Sequence, residues 1–146
     1  MNKYFEEDYQ ARTTIKNAYE EAKTEEGKDA AREKMQRLEE TINAKGKSYR
    51  RLFRAYLDMK ERGNEHLDFG RDTVWERDIP EIVASLKENG AERFTFSARS
   101  TDAIETAAGF EKAGCRLIGL TEINGYFPSI FNNAYEKMPA LLFSLK

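Results

Sequence analysis

The stretch Arg93-Phe94-Thr95-Phe96-Ser97, then Asp102-Ala103-Ile104-Glu105, then Gly114-Cys115-Arg116-Leu117-Ile118-Gly119-Leu120 decides the fold. Its first five residues alternate in character and are β-prone, as in a strand. Asp102 and Glu105 stand at capping-box spacing, and Ala103, Ile104, Ala107 and Phe110 follow as the inner residues of a helix. Gly114 stops that helix, and Cys115 to Ile123 reads as a buried strand. Strand, helix and strand in this order predict a parallel pair joined by a right-handed crossover.

Working outward, Asp78 and Pro80 open an earlier helix whose buried face is Ile82, Val83 and Leu86, and Gly90 ends it. His66-Leu67-Asp68-Phe69-Gly70 before it reads as a short strand or loop. Downstream, Asn124-Gly125 is a turn signal. An aromatic loop follows, and Ala140 to Leu145 makes a last strand, antiparallel to a neighbour.

The first 79 residues contain no proline, and Gly27, Gly46 and Gly63 divide them into three helices. Phe5, Tyr9, Ile15, Tyr19 and Ala22 form one apolar stripe, interrupted by Arg12. Ala31, Met35, Leu38 and Ile42 form a second, out of phase with the first, which places a break near Gly27. Tyr49, Leu52, Phe53, Tyr56 and Leu57 form a third, broader face. Ser48 is the expected N-cap there and Gly63 the C′ residue. Alternatively the second and third helices run together through Gly46, at about 1 kcal/mol relative to alanine.

The expected class is therefore α+β. A charged helical region, residues 1–63, packs on a two-layer α/β region, residues 64–146, with a three-stranded mixed sheet, the two forming one folding unit. Three strands with helices on one face leave the other face bare. The third helix or a partner chain is expected to cover it.

Composition sets exclusions. The 146 residues carry 24 Lys+Arg and 26 Asp+Glu, so the net charge of −2 points to neither nucleic acid nor membrane. Cys115 is alone and no apolar run nears the roughly 18 residues of a span, so a reducing, cytoplasmic setting is expected. One Cys and one His, His66, do not make an ordinary zinc site, and no nucleophile–base pair stands out. No cofactor is expected, and enzymatic activity is not favoured.

Three features are candidates for recognition. Ser97, Arg99, Ser100 and Thr101 lie where a strand ends and a helix begins, a place suited to an anion; ordinary capping is the plainer reading. Lys45, Lys47, Arg50, Arg51 and Arg54 form a basic run interleaved with Tyr49 and Phe53. Such a run suits phosphates or nucleic acid, against a plainer reading as a solvated, ion-paired face. Residues 6–26 are net −4 and residues 28–62 net +5, which helix-to-helix packing also explains. Thirdly, Trp75, Tyr126, Phe127, Phe131 and Tyr135 either fold onto the core, the favoured reading, or serve an interface. The carboxylates Asp68, Asp72, Glu76 and Asp78 around Trp75 read as a solvated loop with caps before they read as an acid/base or cation site.

Two resemblances follow from these residues. Residues 96–121 are similar to a βαβ unit of sugar-isomerase-type phosphosugar-binding domains, without that family's turn glycine, which implies at most an anion-binding turn. Glu61 to Phe69, Trp75, Phe94-Thr95-Phe96-Ser97 and Phe110 to Asn124 resemble an uncharacterised family of small accessory proteins from plasmids and conjugative elements of gut Firmicutes. That resemblance implies a bacterial cytosol and an accessory role. The resulting expectation is a non-enzymatic protein-interaction or regulatory protein, such as an inhibitor of a host defence nuclease. The alternatives are a module for a phosphorylated small molecule at residues 97–102 and nucleic-acid binding through residues 45–54. Self-association stays open.

Overall fold

A computed structural model describes residues 1–70, 74–97, 102–132 and 134–146. Among the described residues five helices and four strands follow one another: α1 (Tyr4–Glu21), α2 (Glu25–Ala44), α3 (Lys47–Arg62), β1 (Leu67–Phe69), α4 (Ile79–Glu88), β2 (Arg93–Phe96), α5 (Ala103–Lys112), β3 (Arg116–Pro128) and β4 (Tyr135–Ser144). A 3-10 turn, Glu76–Asp78, leads into α4. The class is α+β.

The N-terminal half is three helices, as their stripes predict. The first break falls at Ala22–Thr24, before Gly27, because the Thr24 hydroxyl caps α2 by accepting from the Gly27 N–H at 3.1 Å. Gly46 separates α2 from α3 with φ 100°, a conformation that strains any side chain, so these helices do not merge. Gly46, not Ser48, is the N-cap of α3; Ser48 Oγ instead accepts from Asn89 Nδ2. Gly63, at φ 71°, ends α3 as expected. The broad face of α3 is buried: Tyr49, Leu52, Phe53 and Tyr56 pack with Phe5, Leu67, Ile79 and Leu86 in the main core. From the α1–α2 hairpin, Phe5, Tyr9, Leu38 and Ile42 reach that core.

The sheet has four strands, not three, in the order β1-β2-β4-β3. The extra strand is the short 67–69 segment, whose parallel pairing with β2 across α4 promotes it from loop to strand. The predicted 93–97 and 115–123 pair is not adjacent, because β4 inserts between them, antiparallel to both. This insertion moves β3 to the sheet edge. Leu117, Ile118 and Leu120 are consequently exposed rather than buried.

The main core lies between the sheet and the helices. Phe94 and Phe143 face each other across β2 and β4, their rings stacked at 5.3 Å, and Phe110 of α5 sits over both. Gly109 lets α5 approach α4: a Cβ there would lie 2.5 Å from Ile79 Cδ1. Ile104, expected inside, is 85 % exposed, since Ala103, Thr106, Ala107 and Phe110 form the inner face.

Asn124-Gly125 is not a turn. The strand continues to Pro128, and Gly125 serves close contact: a Cβ would lie 2.9 Å from the Glu136 carbonyl oxygen on β4. The outer part of the β3–β4 ribbon coils back towards β1 and the end of α3. There Asn124 donates twice: its backbone N–H to Asn64 Oδ1 at 2.8 Å and its Nδ2 to the Arg62 carbonyl at 2.6 Å. Tyr126 reaches Asp68 although two strands separate β3 from β1 in the sheet. The chain's own ribbon thus meets the sheet face opposite the helices, where Ile123, Met138 and Ala140 form a second small core.

Candidate functional site

Lys47, Arg50, Arg51, Arg54 and Asp58 recur at three- and four-residue steps and share one face of α3. That face forms one wall of a cleft of about 420 Å³. Asp68, Phe69 and Gly70, at the carboxyl end of β1, form another part, and Val74, Asp78 and Ile82 complete it. Clefts outside the carboxyl ends of parallel strands are the usual ligand positions of α/β sheets.

The cations of this wall are not equivalent. Lys47 Nζ lies 3.0 Å from Glu81 Oε1 and Arg51 Nη2 lies 3.7 Å from Oε2. The hydrogen bond from Lys47, with the charge of Arg51, holds the Glu81 carboxyl below its usual range. Arg50 and Arg54 are exposed and have no ion-pair partner among the described residues. Arg51 Nη1 is buried and lacks a hydrogen-bond acceptor among the described residues. Buried donors are nearly always paired, so this one marks a place for an acceptor. Lys45 does not join the wall. It bonds Asp8 at 2.7 Å and sits over the rings of Tyr4 and Tyr49.

Asp68 connects the cleft to a buried polar network. Thr95 Oγ1 donates to its Oδ1 at 2.6 Å, and Ser97 Oγ and the Tyr126 hydroxyl donate to Oδ2, each at 2.6 Å. Ser97 and Tyr126 also lie 3.0 Å apart. Burial, then the adjacent Asp68 charge, pushes the Tyr126 phenol up to about 12. The Arg62 guanidinium covers the Tyr126 ring at 4.3 Å. Oriented this way, Asp68 is a rigid acceptor whose Oδ1 takes a single hydroxyl.

Of the strand–helix turn, Ser97 is turned inward to Asp68; Arg99, Ser100 and Thr101 lie outside the described residues. Of the four carboxylates around Trp75, Asp68 is internal and Asp78 lines the cleft, whereas Glu76 is exposed and Asp72 lies outside the described residues. Among the described residues no group of three or more His, Cys, Asp or Glu side chains is placed to hold a metal ion. Trp75 does not anchor to the core: it is 58 % exposed. Within the aromatic loop, Tyr126 folds inward, and Tyr135 donates to Glu61 at 3.4 Å. Phe127, Ile130 and Phe131 are exposed, against the expectation that the loop folds back.

The joining of Asp68 to Thr95, Ser97 and Tyr126 was hidden from sequence reasoning. These residues are 27 to 58 positions apart from Asp68, and only strand pairing and ribbon coiling unite them. The alternation around Thr95 was the one available signal, since it places Thr95 on the face opposite Phe94.

The chain belongs to the DUF7698 family, a domain of unknown function, whose family model matches residues 51–145. The match begins inside α3 and takes in Arg51, Arg54, the whole sheet and the Asp68 network. Comparison with curated proteins and with solved structures returns no match.

Proposed function

We propose that this DUF7698 member binds a phosphorylated small molecule in the cleft between α3 and the carboxyl end of β1. One observation carries the reading: the buried Arg51 Nη1, without an acceptor among the described residues, belongs to the cleft wall beside Arg50 and Arg54, which have no ion-pair partner among the described residues. Guanidinium groups present planar forks suited to phosphate oxygens. The volume of about 420 Å³ is in the range of small-molecule sites and favours such a ligand over a duplex. Asp68 supplies an oriented acceptor for a ligand hydroxyl. The reading takes residues 47–54 of the basic run as a phosphate site; it is distinct from the anion site expected at residues 97–102, of which no described residue lines this cleft.

A thermal-shift panel of phosphosugars and nucleotides tests it. A ligand at one hundred times its Kd stabilises the protein by about 2.7 kcal/mol. Arg50→Ala/Arg54→Ala, at exposed positions, is expected to fold normally and to lose that stabilisation. A panel without any shift, or a shift unchanged in the double variant, overturns the reading.

A separate observation favours a second reading. Phe127 near the end of β3, Ile130 and Phe131 on the β3–β4 loop, and Leu120 earlier on the same edge strand are between 62 % and 92 % exposed. Exposed apolar residues next to an open edge suit a protein partner. The idea of a regulator carried on a mobile element belongs here. Phe127→Ser/Phe131→Ser is expected to abolish capture of such a partner while leaving ligand shifts intact; capture unchanged in that variant counts against it.

A further inference from the structure

We propose that the phosphorylated ligand is a nucleotide, whose base stacks on Trp75 while its phosphate meets Arg50, Arg51 and Arg54. This rests on the cleft reading above and extends it to a ligand class.

Trp75 is not itself a lining residue of the cleft but is flanked in sequence by two that are. Val74 before it and Asp78 after it both line the cleft. The Trp75 carbonyl accepts the Asp78 N–H at 2.9 Å and so closes the turn that opens the 3-10 helix. The backbone of Trp75 is therefore fixed beside a residue that lines the cleft. Its ring is nevertheless 58 % exposed, with the Arg77 guanidinium 5.9 Å from the ring centroid as its one aromatic or cationic neighbour among the described residues. An indole held in place and left open to solvent is a stacking platform: every base offers a π-face, and a nearby guanidinium adds to the contact. The three chemical parts of a nucleotide each find a counterpart. The phosphate has the arginine wall, a ribose hydroxyl has the Asp68 carboxylate, and the base has Trp75. A phosphosugar would leave the indole unused.

Trp75 is the sole tryptophan, so its fluorescence reports this contact directly. The full chain is titrated with AMP, ADP, ribose 5-phosphate and inorganic phosphate, following fluorescence and, separately, heat of binding. Expected are quenching by AMP and ADP but not by ribose 5-phosphate, and tighter binding of AMP than of ribose 5-phosphate by about ten- to a hundredfold. Trp75→Ala should bring AMP to the level of ribose 5-phosphate, and Trp75→Phe should restore most of the difference. Equal affinities for AMP and ribose 5-phosphate, both lost in Arg50→Ala/Arg54→Ala, would overturn the nucleotide assignment and leave the phosphate reading standing. Absence of binding by all four ligands overturns both. A ten-residue oligothymidylate that binds more than tenfold tighter than a mononucleotide makes single-stranded nucleic acid the occupant and also overturns the assignment.

Discussion

Replacing Asp68 with alanine is expected to destabilise the fold by about 2–4 kcal/mol, and the distribution of that loss tests how the network works. Three hydroxyls donate to this carboxylate at 2.6 Å, and bonds to a charged group contribute about 1.5–3 kcal/mol each. Removal of the carboxylate does not strand all three. Ser97 and Tyr126 are already 3.0 Å apart and can bond each other. Thr95 has no such recourse; it is 1 % exposed, and an orphaned hydroxyl there costs about 1–3 kcal/mol. The relief of burying one charge fewer trims the total. It follows that Thr95→Val should destabilise the native protein by about 1–2 kcal/mol but be neutral or stabilising in the Asp68→Ala background. The coupling should reach about 1.5–3 kcal/mol. Urea unfolding followed by circular dichroism, for the four proteins of the cycle, measures it. Additivity within about 0.5 kcal/mol would refute the claim that Thr95 is held through Asp68.

Other perturbations probe the frame around the cleft. Phe110→Ala removes a fully buried ring that touches Phe94, Phe96 and Phe143, and should cost about 3–5 kcal/mol in the same assay; a loss under 1 kcal/mol would contradict the packing. Gly125→Ala should cost about 1–3 kcal/mol, since its Cβ would meet the Glu136 carbonyl at 2.9 Å; a Gly125 that tolerates alanine would show the two strands free to separate. Alkaline pH should weaken the fold. The folded Tyr126 phenol holds its proton to about pH 12, and burial also raises Tyr49 and Tyr56, whereas unfolded tyrosines titrate near about 10. The unfolded chain binds fewer protons above that point, so the stabilisation is whole below about pH 10 and is lost as pH rises towards 12. The urea midpoint should fall across this window less steeply in Tyr126→Phe; parallel curves would argue against the buried phenol.

Much of the frame was legible because it is local. The α3 face needs only its own periodicity, and Gly63 and Gly90 stop their helices because both take positive φ, at 71° and 72°. Asn124-Gly125 misled for an instructive reason. The pair suits a two-residue turn, yet its glycine answers to close approach of a strand 11 residues away in sequence, and its asparagine answers to α3. Trp75 misled in the opposite direction: a large apolar side chain promises burial, but at the start of the 3-10 turn it is left 58 % exposed. Lys45 and Lys47 are two residues apart in the same basic run, yet the Gly46 break sends one to Asp8 and the other to Glu81.

The sequence alone determined the α+β class, the three N-terminal helices and three of the four strand-forming segments, because propensity, capping and side-chain period act over a few residues. Only the tertiary structure decided that β4 would enter between β2 and β3, that a three-residue segment would become the fourth strand, and that Asp68, Thr95, Ser97 and Tyr126 would meet. Those outcomes depend on pairing between segments far apart in the chain, and on which faces remain to be covered once the helices have packed. The basic run lay in plain view; that its part from Lys47 to Arg54 walls a cleft at the end of β1, which the oriented Asp68 also lines, is a property of the assembled fold.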